Sequence, residues 1–147
     1  MDMIMAMTQR QQLNQKIVLR QLISQAIITP DTACPNCGHT HTEKEIRQGW
    51  RNTPYDFTTK CVNCKRRFVA GLDVEGDSEE LPLGHYQFLC PEQLYTAISD
   101  LMAERSRSLL GTKFLLEKRP DLFWNIIRHH GNYERGLAAF RRWQNTH

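Results

Sequence analysis

The chain has 147 residues, 40% of them hydrophobic and 24% charged, with a formal net charge of +3. That length suits one domain or two small modules, and the composition is ordinary for a soluble globular protein. No apolar run approaches a membrane span, and the start, MDMIMAMTQRQQ, lacks the basic, apolar and small-residue regions of a signal peptide. The expectation is a soluble cytoplasmic protein, in which the paired cysteines among its five would bind metal rather than form disulfides.

Thr8 to Ile28 reads as one helix. Leu13, Ile17, Leu22, Ile23, Ala26 and Ile27 recur at three- and four-residue spacing, and Thr29-Pro30 ends the segment. Val18, Leu19 and Ile28 widen the apolar face, so this helix is expected to lie in the core or to pair with a second copy. Residues 30–74 differ in kind. Segments such as YDFTTKC and RFVAGLDV, with Gly and Pro between them, predict short strands. Residues 75–90 read as an acidic connector, because five acids and no base fall between Asp73 and Glu80.

The helical period returns over residues 91–147. PEQLYTAISDLMAERS places Leu94, Ile98, Leu101 and Met102 on one stripe, with Pro91 suited to the first turn. TKFLLEKR follows Gly111, and Pro120 opens PDLFWNIIRHH with an apolar face of Leu122, Phe123, Ile126 and Ile127. Gly131 suits the left-handed position past a helix end, and Asn132 suits the cap of the next helix, YERGLAAFRRW.

The chemistry concentrates in CPNC (34–37) and CVNC (61–64). Thiolate sulfur is a soft ligand, and two intervening residues let one tight turn aim both sulfurs at one ion. Asn36 and Asn63 hold matching places, Gly38 follows the first turn, and Lys65 would offset the negative charge of four thiolates. Over residues 32–74 this pattern resembles the zinc-ribbon family. The resemblance implies two zinc-binding turns on a small β-sheet and one structural Zn²⁺ held by Cys34, Cys37, Cys61 and Cys64, with metal binding supplying much of the folding energy. Iron between two CxxC turns, as in rubredoxin, is the competing reading. A redox dithiol would want a βαβ setting, and a catalytic zinc would keep a position open for water.

His39 and His41 are expected to be loop polar groups or donors behind the ligands. Cys90 reads as a small buried hydrophobe. Arg47, Trp50, Arg51, Tyr55, Lys60, Lys65, Arg66 and Arg67 interleave bases with aromatics, and residues 34–69 hold seven Lys/Arg against three Asp/Glu. Trp50, Tyr55, Phe57 and Phe68 are assigned to a small core, and Lys65, Arg66 and Arg67 to phosphate contact.

Residues 122–143 resemble the helix-turn-helix of Fis-type DNA-binding proteins. Gly131-Asn132 matches the turn, Gly136-Leu137 stands where that family has Ala-Ala, and Phe140 stands for a later Leu. The resemblance implies that Tyr133, Glu134 and Arg135 begin a groove-facing helix, with Arg128, Arg141 and Arg142 on phosphates. An ordinary helical hairpin is the alternative. His129 and His130 are expected at the surface, where protonation would suit the helix dipole.

The expected fold class is α+β: an N-terminal helix, a small antiparallel β zinc ribbon and an α-helical C-terminal module. No nucleophile, carboxylate pair or phosphate loop suggests an enzyme. The expected function is nucleic-acid binding in a transcription-associated or regulatory role, with DNA favoured over RNA. A protein-interaction adaptor, or an accessory module of an enzyme in another chain, is the alternative.

Overall fold

A computed structural model describes residues 19–105 and 111–146. Helical residues 19–25 form α1, and the strand β1, Ile27–Thr29, follows almost at once. The expected helix over Thr8–Ile28 is therefore corrected at its C-terminal end, while residues 8–18 lie outside the described part. The reason is a partner distant in sequence. Ile27, Ile28 and Thr29 are β-branched and pair antiparallel with Glu75, Val74 and Asp73 of β6, Gly71–Glu75.

Two short hairpins carry the cysteine turns. The first joins β2, Thr32–Ala33, to β3, Thr40–His41, and the second joins β4, Thr59–Lys60, to β5, Arg67–Phe68. Between them stands a helix that the strand-like reading of residues 30–74 did not include, α2, Glu43–Gly49. Its first turn is closed by a capping box: Glu45 N–H donates to Thr42 Oγ1, and Thr42 N–H donates to Glu45 Oε1 at 3.0 Å. That exchange satisfies two donors a helix start leaves open. At its other end Thr59 Oγ1 donates to Ile46 O at 2.7 Å, and Arg67 Nη2 donates to Gly49 O at 2.9 Å. The helix is thus fastened to the second hairpin.

Strand β7, Gly84–Gln87, falls inside the expected acidic connector and completes a sheet of order β1-β6-β7. The loop between β6 and β7 is correspondingly shorter than the stretch 75–90. Four helices follow as the apolar spacing predicts: α3, Pro91–Glu104; α4, Thr112–Lys118; α5, Pro120–His130; and α6, Tyr133–Thr146. Gly131 ends α5 at φ 86°, a conformation open to glycine, and Asn132 Oδ1 accepts from Arg135 N–H at 2.8 Å. Where α6 crosses α5, Gly136 is buried, and a Cβ there would lie 2.3 Å from Ile126 Cγ2.

Buried side chains from the hairpins, the sheet and the helices form one cluster, from Ile46, Trp50 and Phe68 through Leu72 and Phe88 to Leu94, Trp124 and Phe140. Fully buried Asn125 serves that cluster's polar edge. It accepts from Leu89 N–H and donates to Gln87 O and Asp121 O, each at 2.8 Å, so no interior polar atom of its amide is wasted. Among the described residues, no helix is long and apolar enough to cross a membrane.

Candidate metal centre

The two cysteine turns are built alike. Cys34 N–H donates to His39 O and Cys61 N–H to Arg66 O, both at 2.8 Å. Gly38 N–H returns to Cys34 O at 2.8 Å and Lys65 N–H to Cys61 O at 3.1 Å. Gly38 and Lys65 take left-handed φ values of 79° and 69° at corresponding positions. Glycine adopts that conformation freely; lysine does so here with its Nζ donating to Val62 O at 2.8 Å.

These turns bring the sulfurs of Cys34, Cys37, Cys61 and Cys64 within 4.8 Å of one another. Cys34 and Cys64 Sγ are 3.7 Å apart, and Cys37 and Cys61 Sγ are 3.6 Å apart. A disulfide would need about 2.05 Å. Four sulfurs around one tetrahedral Zn²⁺ at bonds of about 2.3 Å stand about 3.8 Å apart. The donor set and its spacing therefore suit a metal ion such as Zn²⁺, held between the hairpins. Neither His39 nor His41 belongs to this cluster.

The surroundings favour thiolate at Cys37 and Cys64. Cys61 Sγ accepts from the N–H groups of Asn63 and Cys64, both at 3.4 Å. The Asn63 amide and the backbone at His39 bring the Cys37 thiol down to about 6. The backbone at Arg66 and the Asn36 amide lower that of Cys64, whereas burial raises that of Cys61. Asn36 Nδ2 lies 3.5 Å from Cys64 Sγ, and Asn63 Nδ2 lies 3.5 Å from Cys37 Sγ. Arg66 Nη1 donates to Asn36 Oδ1 at 2.8 Å, which turns that amide's nitrogen towards the sulfur.

His41 is fully buried and joins the hairpins, since its Nε2 accepts from Val62 N–H at 3.2 Å. His39 stands edge-on to it and 3.6 Å from Glu45. Cys90 is buried at the start of α3, as expected of a small hydrophobe.

The basic residues divide into two groups. Lys65, Arg66, Arg135, Arg141 and Arg142 are exposed. Arg67 and Arg128, expected on phosphates, are half-buried and bound to acceptors of the protein itself. Arg67 binds Gly49 O, Thr58 O and Thr58 Oγ1. Arg128 binds both carboxylate oxygens of Glu43 and, at 3.2 Å, Ile28 O. Arg47 adds two bonds to Glu43 Oε1. Partial burial would raise the Glu43 carboxyl, but the bonds from Arg128 and Arg47 outweigh it and hold the group below its ordinary range.

The histidines of α5 also differ from expectation. His129 Nε2 meets Leu89 O at 2.7 Å, its Nδ1 meets Arg47 Nη1 at 2.9 Å, and its ring stacks on Phe88. Partial burial, with Arg47 close by, pushes its pKa down to about 4, so it is a neutral, half-buried group. His130 Nε2 meets the Tyr95 hydroxyl at 2.8 Å, and burial lowers its pKa too.

The aromatic residues split in a way their spacing did not reveal. Trp50 and Phe68 are buried, at 6% and 5% exposure, whereas Tyr55 is 89% and Phe57 44% exposed. The sequence showed Asn36 and Asn63 at matching positions, but not their crossed contacts to Cys64 and Cys37 or the bridge at His41. Comparisons against protein-family models, curated proteins and solved structures each found no match.

Proposed function

We propose that the protein is a nucleic-acid-binding factor in which a structural Zn²⁺ folds a ribbon-like module and exposed bases contact phosphate. The observation that carries this reading is the fate of the acids around the metal centre. Glu43 is held by Arg47 and Arg128 and Asp56 by Arg51 and Arg67, while Glu45 is taken up in the Thr42 cap. Among the described residues, Lys44, Lys60, Lys65 and Arg66 carry no carboxylate partner. The surface beside the cysteines is left with uncompensated positive charge, which suits a polyanion.

The C-terminal hairpin supports the same reading. Arg135 and Arg142 lie seven residues apart on α6, on one helix face, and exposed Arg141 lies about 100° round the helix from Arg142. Glu134, the acid of that helix, is already paired with Arg20 at 3.0 Å. A helix-turn-helix role would put these arginines on duplex phosphates, and phosphate contacts of this kind serve single strands as well.

The test is anisotropy with labelled DNA, using metal-loaded full-length protein. Affinity should fall steeply as salt rises from about 50 to about 200 mM. The variant Lys60→Ala/Lys65→Ala should weaken binding and flatten that salt dependence. Absence of binding at low salt would remove the proposal.

A further inference from the structure

The exposure of Tyr55 and Phe57 is unusual because their loop is firmly held. Thr53 Oγ1 accepts from Tyr55 N–H at 3.4 Å and Asp56 N–H at 3.2 Å. Asp56 Oδ1 accepts from the Thr58 backbone and hydroxyl, while its Oδ2 lies 2.7 Å from Arg51 Nη1 and 3.8 Å from Arg67 Nε. Buried Gln93 of α3 donates to Asp56 O. Held from three sides, the loop nevertheless leaves the Tyr55 ring in water, although a ring of that size gains much by burial.

Basic residues reach or follow this loop: Arg51 and Arg67 meet its Asp56, and exposed Lys60 comes three residues after Phe57. Arg67, which binds Thr58 at the loop's base, is paired across the hairpin with exposed Lys60. Lys65 and Arg66 lie in the turn of that hairpin, and Val62 and Val69 add two of the protein's other exposed large apolar side chains. The carboxylate in this loop, Asp56, is consumed as a brace. Aromatic faces on a rigid base amid lysine and arginine match unpaired bases strung on a phosphate backbone. A duplex hides its base faces and would leave the rings unused.

We propose that this face binds single-stranded nucleic acid, with Tyr55 and Phe57 stacking on bases and Lys60, Lys65 and Arg66 meeting phosphates. This rests on the nucleic-acid reading above and deepens it. The test compares a labelled oligo-dT of about 20 nucleotides with a duplex of equal length, using metal-loaded full-length protein. Single strand should bind better than duplex. Tyr55→Ala should weaken single-strand binding about 5-fold to about 100-fold, while Tyr55→Phe, which keeps the ring, should bind as the parent does.

Unchanged affinity in Tyr55→Ala, or preference for duplex, would overturn the stacking proposal. If Lys60→Ala/Lys65→Ala still weakened binding in that case, the general nucleic-acid reading would survive it. Failure of both oligonucleotides to bind at low salt would overturn both.

Discussion

Asn36 and Asn63 each reach across the four-cysteine cluster to the last cysteine of the opposite CxxC turn. Asn36 donates to Cys64 and Asn63 to Cys37, and both contacts measure 3.5 Å. Each asparagine thus disperses charge on a thiolate that its own turn does not supply. Asn36→Ala or Asn63→Ala should speed metal loss to a chelator, by roughly 10-fold for the loss of such an outer contact. Asn→Asp at either site should do worse, because it replaces a donor with a negative charge. Competition against a colorimetric chelator reads this directly, and unchanged release rates would deny the amides a role.

Removing a ligand is a larger insult than removing a donor behind it. Cys61 opens the turn of the second hairpin and is fully buried. Cys61→Ser should abolish stoichiometric metal in elemental analysis and unfold the hairpins, since metal binding in so small a unit is largely folding energy. Retention of near-UV circular dichroism in a strong chelator would contradict that coupling.

The neutral, half-buried state of His129 has a pH consequence. Its folded pKa, about 4, lies below the ordinary value of 6.5. Between those values the unfolded chain binds the proton and the folded chain does not, so stability falls as pH drops through that window and levels off below it. Above 6.5 the contribution is complete; the total loss is about 3 kcal/mol. Glu43, held low by its arginines, adds a loss of the same sign at still lower pH. Urea unfolding at a series of pH values should show the slope, and His129→Gln at equal metal loading should flatten it.

Gly49 makes a steric prediction. A Cβ there would fall 2.2 Å from Thr59 Oγ1 and 2.7 Å from the backbone nitrogen of Lys60. Alanine gains up to about 1 kcal/mol of helix propensity over glycine, but overpacking against backbone costs about 1–3 kcal/mol. Gly49→Ala should therefore destabilise, whereas Gln48→Ala, one residue earlier and exposed, should be neutral or slightly stabilising. Thermal melting of the two variants separates packing from propensity.

What could be read from the sequence was local. The two CxxC turns, the stripes of α3 and α5 and the Gly131-Asn132 junction depend on residues a few positions apart. Strand β1 did not, because Ile27 and Ile28 fit a helical stripe and a strand equally well. Their partners Glu75 and Val74 decide the matter from far along the chain. Helix α2 did carry a signal, the Thr42–Glu45 capping box, outweighed by the Gly- and Cys-rich segments around it. Arg67 and Arg128 resembled free surface bases because their acceptors were invisible. The carboxylate that Arg128 binds lies 85 residues away.

Helix α2 has one further consequence. It touches the second hairpin through Ile46 and Gly49, and α5 through the contacts of Glu43 with Arg128 and of Arg47 with His129. The helical half is therefore not a transferable cassette. Severed from residues before the loop at 76–83, α5 would keep an arginine without its carboxylate and lose the guanidinium that meets His129. A graft of residues 91–147 onto another protein would carry α5 and the helix α6 packed on it without the α2 contacts that brace α5.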